Sequence, residues 1–192
     1  KLANHQANVL GVAQTGIKLE SAGADYAEYL PRKEFGEDIK PGDIVGVYAG
    51  QITKKTRHAH RVMVVSTMPL VVGNWKGKDN PDKYEAITFV GQAPVNVVGP
   101  VNAGDYIIPS GKDDGRGIAI PQEKLKSEQY SQIVGQAWET NTEAGFKQVN
   151  MAIIPLLQPQ KPSIKLEQLN QENQELRVIL NELKLKVDQM TK

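Results

Sequence analysis

Between residues 166 and 190, apolar side chains recur at alternating steps of three and four. With Leu166 as heptad position a, the a positions are Leu166, Asn173, Leu180 and Val187, and the d positions are Leu169, Leu176, Leu183 and Met190. Seven of these eight seam positions are apolar over four heptads. That period specifies an α-helical coiled coil over residues 163–192, with Ser163 placed to cap its start. A single helix of this length is marginal in water and leaves its leucine stripe exposed, so the chain is expected to be an oligomer. Asn173 at position a fixes register and by itself leans toward two strands, whereas Ile179 at position g widens the apolar face and favours a higher-order bundle. Just upstream, residues 156–162 carry Pro159 and Pro162. Neither a strand ladder nor a helix interior accepts that spacing, so the segment reads as a linker.

The rest of the chain shows no helical period. Lys40, Pro41, Gly42 and Asp43 form a turn signal with Pro second and Gly third, followed by a β-rich run at residues 44–48 and a return at 51–53. Further apolar runs lie at residues 62–65, 70–73, 84–90, 93–98 and 104–108. Most are punctuated by Gly or Pro at intervals of about ten residues, the spacing of a barrel or sandwich rather than of βαβ units. Residues 117–120, 133–138 and 149–154 continue the series, with one short helix expected over 121–130. The glycines at 111, 115 and 117 do not match a phosphate-binding loop and read as a hairpin.

The predicted fold is mainly β: a compact β-barrel or sandwich-like domain over 21–155, the proline-rich linker over 156–162, and a C-terminal α-helical coiled coil over 163–192. Residues 1–20 read as the end of an upstream shaft or connecting segment. Lys1 is not an initiator Met and no signal-peptide pattern follows it, so the chain is expected to be the C-terminal end of something longer.

Composition narrows the function classes. The 192 residues are 40 % hydrophobic and 23 % charged with a net charge of +1, and no Lys/Arg footprint dominates, which argues against nucleic acid. No apolar run approaches the roughly 20 residues of a membrane helix. The absence of cysteine excludes disulfides and thiolate metal sites. Residues 54–61 gather four fixed positive charges with His58 and His60, a pair that would share one face of a strand. A third ligand is missing nearby, so a solvated basic turn is the expectation, and neither metal nor cofactor is expected.

Residues 21–32 carry the candidate chemistry. Asp25 and Glu28 stand three apart behind Ala22, Gly23 and Ala24, with Tyr26 and Tyr29 able to cover them. That setting suits one raised and one ordinary carboxyl pKa for general acid/base work on a peptide bond. An exposed turn with two solvated acids is the structural alternative.

The succession Gly23, Ala24, Asp25, Tyr26, Ala27, Glu28, Tyr29, with the runs at 42–47 and 99–111, resembles the C-terminal intramolecular chaperone domain of phage tail appendages and bacterial surface fibres. The likeness covers roughly residues 20–155. It implies a homotrimeric folding cap, attached to an upstream fibre domain of the same chain, on a phage virion or a bacterial surface. It also implies membership of the glutamic peptidases: a single self-cleavage with Asp25 and Glu28 as the dyad and Ser21-Ala22 as the scissile bond. A non-cleaving adhesive tip, meeting a cell-surface receptor through loops around Trp75 and residues 112–116, is the competing function.

Overall fold

The computed structural model describes residues 23–74, 80–153 and 164–190. Ser21, Ala22, Trp75, the linker and Ser163 lie outside the described residues. Among the described residues there are ten strands and one long helix: β1 Asp25–Pro31, β2 Ile44–Tyr48, β3 Gln51–Thr53, β4 Arg61–Val65, β5 Val71–Gly73, β6 Tyr84–Val98, β7 Tyr106–Pro109, β8 Gly117–Ile120, β9 Gly135–Ala137, β10 Phe146–Ile153 and α1 Ile164–Met190. The chain is mainly β.

One strand organises the sheet. β6 is 15 residues long, and where sequence punctuation suggested two strands, the chain runs straight through Gly91 and Pro94. It does so by changing neighbours midway: residues 84–91 pair antiparallel with β1, and residues 91–98 pair antiparallel with β10. On the other edge, β4 pairs at Ile87 and Thr88, and β8 pairs at Val97. Pro94 falls between those two contacts, where its missing N–H costs no ladder bond on that edge. Gly91 marks the exchange. Its φ is 116°, and a Cβ there would lie 2.4 Å from the carbonyl oxygen of Ala24, so no other residue lets β1 cross so closely.

The second half of β6 closes a five-stranded barrel in the order β6, β8, β7, β9, β10. Alternate residues of those strands point inward, and Val95, Val97, Ile107, Val149 and Met151 are fully buried there. Each such side chain contributes roughly 1.5–3 kcal/mol of burial energy. The first half of β6 belongs to a second ring with β4, β2, β3 and β1, in which Ile39, Val45, Ile52, Met63, Val65 and Ile87 form a separate core. A parallel bridge between Arg32 and Ile52 closes it, with the N–H of Lys33 donating to the Ile52 carbonyl at 2.8 Å.

The β2–β3 hairpin and the turn before it match the sequence reading: the N–H of Asp43 donates to the Lys40 carbonyl at 3.0 Å, with φ of 84° at Gly42. The short helix expected over 121–130 is instead two 3-10 segments, Gln122–Lys124 and Ser127–Gln132. The run at 70–73, read as a buried strand, is an edge strand paired only with β1 among the described residues, with Val71 exposed. α1 spans 27 residues, and along it Leu176, Leu180 and Leu183 are all more than half exposed. No described helix is long and apolar enough to cross a membrane.

Candidate functional site

Residues 25–31, read from sequence as a turn or a catalytic segment, form β1, the strand between β5 and β6. Strand geometry then decides where the two acids go, because successive side chains alternate between faces and positions three apart oppose one another. Asp25 and Ala27 point inward, and Tyr26 and Glu28 point outward.

Asp25 is 3 % exposed. Its Oδ1 accepts from the Ser66 hydroxyl at 3.1 Å and its Oδ2 from the Thr88 hydroxyl at 2.6 Å. Its own carbonyl accepts the N–H of Leu70 at 2.8 Å. The carboxyl group therefore ties the start of β1 to the β4–β5 connection and to β6. Ser66 and Thr88 are separated from Asp25 by 41 and 63 positions, so no local spacing announced them.

Glu28 belongs to a different environment. Its Oε1 accepts from the Tyr26 hydroxyl at 2.6 Å on the outer face of the strand. The Tyr26 phenol is held above its ordinary pKa, chiefly because its proton is donated to that carboxylate. Tyr26 also meets Phe89 edge-on, with ring centroids 6.4 Å apart. Within one chain, then, the structure does not bring Asp25 and Glu28 to a common point.

Two further polar centres were missed in the sequence. Arg32, just past the end of β1, pairs with Glu85 of β6, both side chains largely buried, and its Nη1 donates to the Glu37 carbonyl at 2.8 Å. Burial pushes the Glu85 carboxyl up, and Arg32 pulls it partly back. The second centre gathers around Asp43, which is buried. The Asp43 carboxylate accepts from Lys54 Nζ at 3.1 Å, from Asn96 Nδ2 at 2.8 Å and from the N–H of Lys40 at 2.9 Å. Gln148 extends the chain by donating to Asn96 Oδ1 at 2.9 Å.

Lys54 is thus an ion-pair partner rather than part of a solvated basic turn, and Lys55 pairs with Glu34 at 3.0 Å. His58 lies within a turn, with φ of 60°, and His60 follows it with its ring 6.3 Å from that of Tyr48, so the two do not share a strand face. Among the described residues no group of three His, Cys, Asp or Glu side chains is arranged to hold a metal. The loop at 112–116 is tied inward, with Asp113 accepting the Thr56 N–H at 3.2 Å and Asp114 accepting the Ser110 hydroxyl at 2.7 Å.

No protein-family model matches this chain, and no curated protein matches it. Among solved structures, the chain is similar in fold to the pre-mature gene product 12 of bacteriophage phi29, at a TM-score of 0.53 and 14 % identity. The likeness covers 73 % of this chain and 23 % of that one, so this chain spans less than a quarter of that protein's length. A C-terminal fragment of the same phage protein aligns at a TM-score of 0.47 and 17 % identity, over 68 % of this chain and 100 % of the fragment.

Proposed function

We propose that this chain is an intramolecular chaperone and trimerisation cap at the C-terminus of a phage tail or bacterial surface fibre, borne on the virion or the cell surface. The observation that carries this reading is the open seam of α1: Leu176, Leu180 and Leu183 stand 62 %, 52 % and 53 % exposed beside a β domain whose own cores are closed. A helix that keeps such a stripe in water is waiting for copies of itself. Bringing three chains together raises their effective concentration and sets a common register, which fibres built from long-range strand contacts lack on their own. The fold likeness to part of a bacteriophage phi29 protein and the resemblance of residues 23–29 to the fibre chaperones support the same reading.

Light scattering at micromolar concentration tests it. A mass three times that of the chain is expected. A monomer overturns the reading, and a dimer shows that Asn173 sets the strand number. Folding of the upstream fibre segment should in turn depend on being attached to residues 21–192.

Self-cleavage at Ser21-Ala22 is the second reading, favoured by the position of Asp25. It is a buried carboxyl group held by two hydroxyls four residues after Ser21. Because Glu28 faces the other side of β1, the two acids reach one bond only if Glu28 comes from a neighbouring copy. Cleavage is then expected after assembly and not before.

A further inference from the structure

The outer face of the barrel at β9, β10 and β6 carries a strip of exposed aromatic and carboxamide side chains. Ala137 and Met151 are paired and point into the core, so the next pair, Trp138 and Asn150, points outward, joined by the Trp138 N–H donating to the Asn150 carbonyl at 3.0 Å. The Trp138 indole is 54 % exposed. Beside it, Asn150 Nδ2 donates to Gln92 Oε1 at 2.8 Å. Further along β10 on the same face come Gln148 and Phe146, the latter 56 % exposed with the Arg116 guanidinium 5.0 Å from its ring centre.

The strip is therefore two exposed aromatic rings with carboxamides between them. Phe146 and Asn150 are four strand positions apart, roughly 13 Å at the rise of an extended chain. An indole at the surface offers a broad apolar face to a flat, weakly polar partner. Carboxamides supply what a hydroxyl group needs, since each presents both a donor and an acceptor. The bond between Asn150 and Gln92 uses one donor and one acceptor, and leaves Asn150 Oδ1 as an acceptor and Gln92 Nε2 as a donor for a further partner. The carboxylate beside the strip, that of Glu139, accepts the Asn150 N–H at 2.9 Å, and its charge disfavours a sulfated, phosphorylated or carboxylated ligand.

We propose that this strip is a binding site for a neutral oligosaccharide. Trp138 and Phe146 are its stacking platforms, and Gln92, Gln148 and Asn150 are the groups that read ring hydroxyls. The spacing of the rings selects a chain of sugars over a single one. The inference stands apart from the chaperone reading, since none of these residues lies on β1 or on the seam of α1.

Calorimetric titration of the intact protein with maltohexaose, cellohexaose and chitohexaose tests it, with a heparin hexasaccharide as the anionic comparison. At least one neutral hexasaccharide should bind at millimolar concentration or tighter. Trp138→Ala should weaken that binding roughly tenfold or more, as loss of a stacking contact does. Phe146→Ala should weaken binding of the hexasaccharide but not of the corresponding disaccharide. Both side chains are exposed, so circular dichroism of the variants should match the parent. Failure of all three neutral sugars to bind overturns the proposal, as does binding that Trp138→Ala leaves unchanged or binding of the heparin fragment alone. A fall in oligomeric mass in Trp138→Ala also overturns it and assigns the strip to contacts between copies.

Discussion

Asp25 and Glu28 stand three positions apart on β1 and face opposite sides of it, Asp25 toward the hydroxyls of Ser66 and Thr88, Glu28 toward the phenol of Tyr26. A period of two along an extended chain dictates this, whereas the same spacing on a helix would have put both acids on one face. One acid is consequently a buried tie between distant segments and the other a surface group.

The Asp25 tie sets the first expectation. Asp25→Ala leaves two buried hydroxyls without their acceptor and should destabilise the β domain by about 2–3 kcal/mol. Asp25→Asn keeps one acceptor oxygen and should cost about half as much. Thr88→Val removes one donor while keeping shape and should fall near the Asn variant. Urea unfolding followed by circular dichroism measures all three, and equal midpoints for Asp25→Ala and the parent would remove the structural role.

Lys54 and Asp43 provide a second. Both are largely buried, so Lys54→Met removes the only cation paired with the Asp43 carboxylate among the described residues and strands a buried negative charge that Asn96 and the Lys40 N–H alone then satisfy. The expected cost is about 3 kcal/mol, the low end for breaking a buried pair. A double-mutant cycle with Asp43→Asn should return a coupling of at least ~1 kcal/mol. Additive losses would mean that the two groups do not act as a pair.

Glu85 yields a pH dependence of unusual sign for an acid. Its carboxyl is raised above the ordinary 4.5 chiefly by burial, with Arg32 opposing the rise, so between the unfolded and the folded value the folded state holds a proton that the unfolded state has released. Its contribution is fully present below the unfolded value and is lost as pH rises through the folded one. Glu85→Gln keeps an acceptor for Arg32 and removes the titration. The parent should therefore lose midpoint urea concentration relative to Glu85→Gln as pH climbs above about 4.5, and a parallel pair of curves would contradict it.

The leucine seam gives a fourth. Leu176→Asp together with Leu183→Asp should lower the mass seen by light scattering to that of a monomer while the strand signal of the β domain persists. Loss of both signals together would mean that the domain folds only as an assembly.

Local chemistry made part of this architecture readable in advance. The Lys40 to Asp43 turn, the hairpin from Ile44 to Thr53 and the helix over 164–190 all rest on signals within a few residues of one another. What the sequence hid depends on partners far along the chain. β6 looked like two strands because Gly91 and Pro94 usually punctuate, and only the exchange of β1 for β10 along its edge makes them fit. Asp25 and Asp43 looked like turn residues because Thr88 and Asn96, which hold them, sit more than fifty positions away. Trp138 gave no signal as a site, since its amide neighbours come from two other strands.

The opposed acids lead to the last prediction, which concerns the chemistry proposed for residues 21–28. If Asp25 acts on the bond of its own chain and Glu28 reaches that bond from a neighbour, Asp25→Asn and Glu28→Gln should each abolish cleavage when refolded alone, because every assembly then lacks one kind of acid. A co-refolded mixture restores it. In mixed assemblies the Glu28→Gln chain keeps its own Asp25 and meets an intact Glu28 on the Asp25→Asn chain, so the Glu28→Gln chain alone should be cut near Ser21-Ala22. Mass spectrometry separates the two chains by their substitutions and shows which one lost residues 1–21. Cutting of the Asp25→Asn chain, or of either variant refolded by itself, rejects the shared-acid arrangement. No cutting in the parent protein after assembly rejects the peptidase reading altogether and leaves Asp25 as the tie that its two hydroxyl partners make it.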